Sequence, residues 1–261
     1  MIRVGIGGWT FEPWRGVFYP DKLPHARELS YAAGRLTSIE INGTYYGSQK
    51  PASFRKWADE TPEDFVFSLK GPRFATNRRV LAEAGPSVEK FLTSGLTELG
   101  AKLGPLLWQF MPTKKFDPED FEAFLGLLPA ELEGRPLRHV VEVRHDSFRS
   151  ADFIALARRH KVAVVYAHSE NFPEIADPTA DFVYARLQKT RETEDTGYSA
   201  DELDAWAERA RIWASGATPR DLDLLVGPPP KTPRDVFIYF ISGAKVRAPA
   251  AAMALIERLD G

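Results

Sequence analysis

The sequence predicts an α/β fold, a single (β/α)8 barrel of the TIM type spanning residues 1–261. Three observations point there. Eight short apolar runs recur along the whole chain, helical patterns separate most of them, and no Gly-rich phosphate loop follows the first run. The strands are read at Ile2–Gly7, Thr37–Asn42, Asp64–Lys70, Pro105–Phe110, His139–Arg144, Lys161–Tyr166, Asp181–Leu187 and Asp235–Ile241, each bounded by Gly, Pro, Asp or polar residues. Helices are read at Pro24–Arg35, Ala52–Glu60, Pro86–Lys102, Pro118–Leu128, Ala151–Arg159, Ala200–Ala214 and Ala248–Leu259. Pro24, Pro86, Pro118 and Pro249 stand at or near helix starts, where a missing N–H costs nothing. Leu203, Trp206, Ala207, Ala210 and Trp213 recur at helical spacing and form one apolar face.

The region of strands six to eight is expected to be irregular. Between the sixth and seventh strands only Glu170–Ala176 offers a helical turn, and Gly227–Pro233 reads as an extended polyproline connector. The competing architecture is a doubly wound open sheet. It calls for a third glycine and a helix after the first strand, and Gly5-Ile6-Gly7-Gly8-Trp9 supplies neither. No repeat or domain boundary interrupts the pattern.

Composition removes whole classes of function. With 34 basic and 36 acidic residues the net charge is −2, which argues against a nucleic-acid scaffold or a membrane-surface binder. Zero cysteines exclude disulfides, cysteine-ligated zinc, iron–sulfur clusters and a thiol nucleophile. No apolar run approaches the ~20 residues that span a bilayer. The chain opens directly on a strand, Ile2–Gly7, rather than on a signal-peptide pattern, so the expectation is a soluble, cytoplasmic protein without a membrane partner.

Side chains alternate along a strand, so one parity faces the surrounding helices and the other the barrel interior. Ile39 and Ile41 share one parity, Glu40 and Asn42 the other. The same alternation turns Ser68 and Lys70, Gln109, Glu142 and Arg144, and Tyr184 and Arg186 inward. Each inward polar residue lies near the C-terminal end of its strand, where barrels of this type carry their sites. Two carboxylates, Glu40 and Glu142, then meet three cations, Lys70, Arg144 and Arg186, for a net +1 that favours an anionic ligand. The bland reading is structural pairing, Glu40 with Lys70 and Glu142 with Arg144. After strands seven and eight, Gln188, Lys189, Arg191, Ser242, Gly243, Lys245 and Arg247 form either a phosphate site ahead of the last helix or a solvated basic loop.

Read in order, several segments resemble the YecE-like family, domain of unknown function 72. They are Gly7-Gly8-Trp9 with Trp14, Phe18-Tyr19-Pro20, Glu40–Tyr46, Phe67–Lys70, Leu103–Phe110 and Glu142–Phe148. They cover the first 150 residues or so well and the later half more loosely. The resemblance implies a TIM-type barrel, loosely likened to sugar isomerases, with no established reaction. Three departures stand out. Asn77 stands where the resemblance implies His, Gln188 replaces a His two residues after Arg186, and Ile241 with Ser242 replace paired Asn.

The reading that follows is a metal-independent enzyme or enzyme-like binder, without a cofactor, for a small anionic or polyhydroxylated compound such as a sugar phosphate. Glu40 and Glu142 are the candidate acid and base, assisted by Lys70 and His145. Asn42, Tyr45, Gln109, Arg144, His168, Arg186, Gln188, Ser242 and Gly243 are the candidate substrate ligands, and Arg186 is expected to be removable without loss of the fold. Two carboxylates could alternatively serve glycoside hydrolysis, and Lys70 a Schiff base if desolvation lowered its pKa. A non-catalytic barrel binding an anion, or less readily a nucleic acid, stays open. Metal-dependent sugar isomerisation or phosphodiester hydrolysis ranks last, because the mouth is cationic and carries no His-x-His pattern.

Overall fold

A computed structural model describes residues 1–261, in which eight parallel strands close on themselves in sequence order. They are β1 (Ile2–Gly7), β2 (Ser38–Ile41), β3 (Val66–Lys70), β4 (Leu103–Gln109), β5 (His139–Glu142), β6 (Ala163–His168), β7 (Phe182–Leu187) and β8 (Asp235–Phe240). Closure comes from β1 against β8, in register from Ile2 opposite Val236 to Ile6 opposite Phe240. At Gly5 the wall tolerates no side chain, because a Cβ there would fall 1.9 Å from the Ser38 carbonyl oxygen.

The alternation read from the sequence holds. Outward residues such as Ile39, Ile41, Phe67, Leu69, Trp108 and Val141 join a buried cluster of 58 that lies between the strands and the helices. The inner apolar cluster has only 10 members, including Val66, Leu107, Val140, Phe182 and Phe237, so most hydrophobic stabilisation is outside the barrel. Polar groups fill the remaining interior as a connected chain. Ser38 and Ser68 donate to the Val66 and Pro105 carbonyls and meet the hydroxyls of Tyr239 and Tyr184 at 2.6 and 2.8 Å. Each of these four hydroxyls has a partner, which is the condition for burying it.

Seven helices of six residues or more cover the barrel: α1 (Glu28–Ala33), α2 (Pro51–Asp59), α3 (Gly85–Leu92), α4 (Pro118–Gly126), α5 (Ala151–Arg159), α6 (Ala200–Ala214) and α7 (Ala248–Asp260); two single turns, Gly43–Tyr46 and Arg73–Thr76, follow β2 and β3. Ser199 and Glu202 form a complete capping box at the start of α6. The helix expected over Pro86–Lys102 is split. It stops at Leu92, Gly95 takes a left-handed φ of 95°, and Leu96–Lys102 continues as tighter 3-10 turns. The crossover after β6 has no helix, so the turn expected within Glu170–Ala176 does not form. Its place is taken by two irregular segments stapled together: the Asp177 carboxylate accepts the Leu225 and Val226 N–H groups at 2.8 Å each. Arg158 on α5 donates to the carbonyls of Pro178 and Gly227, fastening both to the neighbouring helix. No helix is long and apolar enough to cross a membrane.

Candidate functional site

Five strands deliver charged or amide side chains to one level at the C-terminal end of the barrel. Arg186, at the end of β7, is the hub. Its Nε and Nη2 donate to the two oxygens of Glu40 at 3.0 Å each, its Nη1 donates to Glu142, and the same nitrogen reaches Gln109 Oε1 at 3.3 Å. Glu40 also accepts the Tyr184 hydroxyl at 2.7 Å. Arg144, just beyond β5, donates through Nε to Glu142 at 2.9 Å and through Nη2 to Gln109 at 2.8 Å. Glu40, Glu142 and Arg186 are all buried, the guanidinium at 2% exposure and both carboxylates at 0%. A bidentate, fully bonded pair is the arrangement in which such burial is tolerable.

The electrostatics follow from this pairing. Burial pushes the Glu142 carboxyl up, but Arg186, Arg144 and Lys70 outweigh it and hold it below the ordinary carboxylate range. Burial likewise opposes the charge on Arg186, and Glu142 with Glu40 more than compensates, so the guanidinium stays charged. Lys70 differs. Its ammonium lies within 4 Å of no carboxylate and instead sits 4.2 Å from the centre of the Tyr45 ring. Burial, reinforced by Arg186, brings its pKa down to about 8, with Glu40 and Glu142 opposing.

Above this layer opens a cleft of about 630 Å³. The charged side chains that line it are Lys70, Arg144, Arg186 and Lys245, all cations. Around them stand the amides of Asn42, Gln109 and Gln188, the Ser242 hydroxyl, and walls from Trp9, Trp57 and Phe172. Trp9 and Trp57 meet edge to face at 5.3 Å, and Phe172 lies 4.2 Å below the Arg144 guanidinium carbon. Gln188 Nε2 is buried without a hydrogen-bond partner, an unusual state for a donor beside a cleft.

Several expected placements change. The Glu40–Lys70 ion pair does not form, because Arg186 reaches Glu40 with a better-matched fork. Glu40 and Glu142 do not line the cleft; they lie beneath it with their oxygens engaged. His168 is on the outward parity of β6, packed 5.0 Å from Trp206 with Nδ1 3.2 Å from the Tyr198 hydroxyl. Burial, then Lys189, brings its pKa down to about 4. His145 turns to its own chain, where Nδ1 accepts the Ser147 N–H and caps a 3-10 turn. Gly243 has a φ of 86° and packs against Thr190, whose carbonyl oxygen a Cβ would meet at 2.5 Å; its role is to seat two loops.

The basic loop region divides in a way the sequence does not reveal. Lys189 pairs with Glu174, Arg191 with Glu202, and Arg247 with Asp195, whereas Lys245 turns to the cleft over the rings of Phe11 and Trp14. Of the family departures, Gln188, Ile241 and Ser242 line the cleft, and Asn77 sits on an exposed surface beside Arg73 and Arg78. Sequence reasoning missed Gln49, Trp57 and Phe172 as lining residues. Their signals are a loop glutamine, an amphipathic helix residue and a residue in a crossover of unknown course, none of which points inward.

A family model described as "Protein of unknown function DUF72" matches residues 3–261. The UPF0759 protein YecE of Escherichia coli (strain K12) is 28% identical over 151 residues, covering 57% of this chain and 50% of that protein. The chain thus spans about half the length of the curated relatives it matches. Among solved structures, a DUF72 family protein from Thermotoga maritima MSB8 superposes with a TM-score of 0.76 at 25% identity, covering 100% of both chains. One from Enterococcus faecalis V583 gives 0.73 at 18%, covering 100% of this chain and 96% of that one. A closed parallel barrel, shared with those structures, and a family match from its third residue to its last place the chain in the DUF72 family.

Proposed function

We propose that the cleft receives a small anionic, polyhydroxylated compound of the sugar-phosphate type and that Lys70 exchanges protons with it. One observation carries this reading: the cleft's charged lining is wholly cationic, and two of its four cations, Lys70 and Lys245, have no carboxylate partner. The carboxylates lie underneath and serve Arg186 and Arg144, holding both forks rigid and charged. Lys245 supplies a point charge for the anion, while Asn42, Gln109, Gln188 and Ser242 offer hydrogen bonds to hydroxyls. Trp9 and Trp57 give the apolar wall against which a sugar face packs. A proton carrier works best with a pKa near the working pH, and Lys70 at about 8 meets that condition better than the deeply ionised Glu142. The acid–base task assigned to Glu40 and Glu142 from sequence therefore passes to Lys70 in this reading.

Thermal denaturation with a ligand panel tests it. A ligand held at about 100 times its Kd stabilises by ~2.7 kcal/mol, roughly 5 °C for a chain of this size. Sugar phosphates and inorganic phosphate are expected to give such a shift, and the parent neutral sugars are not. Lys245→Gln is expected to weaken phosphate binding about tenfold and to leave the unliganded Tm unchanged, since its ammonium touches only aromatic rings. Equal stabilisation by neutral sugars, or stabilisation by divalent cations alone, overturns the reading.

A further inference from the structure

We propose that Lys70 is a nucleophile, forming an imine with an aldehyde or ketone carried on the anionic compound; this inference rests on the reading of the cleft as an anion site. The substrate class is thereby narrowed to carbonyl compounds bearing a phosphate or carboxylate, such as phosphorylated aldoses and ketoses or oxo acids.

The geometry singles out this amine. Lys70 ends β3, its side chain is buried to 7% exposure, and its ammonium is at the cleft floor rather than in solvent. Its backbone is clamped, since the Lys70 carbonyl accepts the Thr44 hydroxyl at 2.7 Å and the next N–H donates to Leu107 at 2.8 Å. A salt bridge would hold the ammonium charged and occupy its hydrogens, and both carboxylates at this level are already claimed by Arg186 and Arg144. Nζ is left against the Tyr45 ring, where burial together with Arg186 outweighs the pull of the unbonded Glu40 and Glu142 charges and disfavours a further proton. With a pKa of about 8, roughly a quarter of the amine is free at pH 7.5, against about 0.1% for an ordinary exposed lysine. Lys245 also meets aromatic rings and has its pKa lowered by burial, but it is only half-buried. It lies 4.5 and 5.5 Å from the Phe11 and Trp14 rings, on the far loop, where it can hold the anionic end.

The chemistry balances without any further reactant. The Lys70 lone pair attacks the carbonyl carbon, a C–N bond forms, and the C=O pair moves to oxygen. That oxygen, stabilised by the guanidinium N–H groups of Arg144, takes up the proton lost by nitrogen to give a carbinolamine. Protonation of the hydroxyl and loss of water give the iminium, C=N still carrying the nitrogen's proton, and release of that proton leaves the neutral imine. The sum is amine plus carbonyl giving imine plus one water. An iminium withdraws electrons from the neighbouring carbon and acidifies its C–H; once bonded, the Lys70 nitrogen is that electron sink, and its own proton exchange is confined to the free amine and the imine nitrogen.

Trapping by reduction reads this directly. The 261-residue chain is incubated with sodium cyanoborohydride and one of four probes: glyceraldehyde 3-phosphate, dihydroxyacetone phosphate, glyoxylate or neutral glyceraldehyde. Labelled lysines are mapped by peptide mass spectrometry. Lys70 is expected to label at least tenfold faster than every other lysine with one or more anionic probes and at least tenfold slower with neutral glyceraldehyde. Glycerol 3-phosphate is expected to protect it, and the labelling rate is expected to rise with a midpoint near pH 8. Lys70→Arg is expected to lose this label while the other lysines keep theirs. If glycerol 3-phosphate stabilises the protein and Lys70 labels no faster than surface lysines with any probe, the imine is refuted and the anion site survives. If no anionic compound stabilises or protects, the anion site fails and the imine falls with it.

Discussion

Replacing Arg186 with Met tests the central ionic layer most severely. The substitution keeps an unbranched side chain and removes the whole guanidinium, which makes two bonds to Glu40 at 3.0 Å, one to Glu142 and one to Gln109. Glu142 retains Arg144 at 2.9 Å, whereas Glu40, at 0% exposure, retains only the Tyr184 hydroxyl at 2.7 Å. Counting Lys70, Arg144 and Arg186 against Glu40 and Glu142, the layer falls from +1 to 0, yet the loss lands on one unpaired buried carboxylate. Breaking a buried pair on one side costs about 3–5 kcal/mol, a large part of a total stability of about 5–15 kcal/mol. For a chain of this size that is a Tm drop of roughly 6–10 °C. Calorimetry at pH 7 measures it, and Arg186→Met combined with Glu40→Gln should recover at least half, because a neutral amide no longer needs the cation. A single variant within about 2 °C of the parent, or strictly additive losses in the double variant, refutes the account. The same measurement decides the removability expected from the sequence, for Arg186 both lines the cleft and bonds Glu40, Glu142 and Gln109 beneath it.

Two further expectations concern protons. Lys70 titrates near 8 in the folded chain and near 10.4 when unfolded, so between those values only the unfolded chain keeps the proton and stability rises with pH. Below about pH 8 the full penalty of a buried ammonium is present; Lys70→Met should therefore stabilise the protein at pH 7 by up to about 3 kcal/mol, the gain fading toward pH 10.4. A variant-minus-parent difference that stays flat from pH 7 to 10.5 contradicts this. His168, brought down to about 4, works on the acid side: the unfolded chain binds its proton first, and stability is lost as pH falls from about 6.5 to 4. His168→Phe keeps the contact with Trp206 and leaves the Tyr198 hydroxyl its bond from the Lys189 N–H. Acid unfolding followed by circular dichroism should become shallower, and an unchanged slope would assign the acid sensitivity elsewhere.

How much of this was legible depends on how local the cause is. Strand alternation is a property of neighbouring residues, so the inward direction of Glu40, Lys70, Gln109, Glu142 and Arg186 could be read before any fold was known. The same logic failed where the strand's extent was misread. Strand six runs to His168 rather than ending at Tyr166, and the two-residue period carries the imidazole to the helix side with Tyr166. The missing helix after β6 was foreshadowed by weak periodicity, but the Asp177 staple that replaces it joins residues 48 positions apart and has no sequence signature.

By itself the sequence determined the strand order, the inward face of Glu40, Lys70, Gln109, Glu142 and Arg186 and the excess of positive charge at one end, because these follow from short periods and from simple counting. Only the tertiary structure decided which charge neutralises which. Arg186 and Glu40 are 146 residues apart, and their fork-to-carboxylate match beat the nearer pairing with Lys70 once the closed barrel set them face to face. Ion pairing depends on distances of a few ångströms fixed by the whole sheet, and so the lack of a carboxylate partner at Lys70 is a consequence of closure rather than of any local pattern.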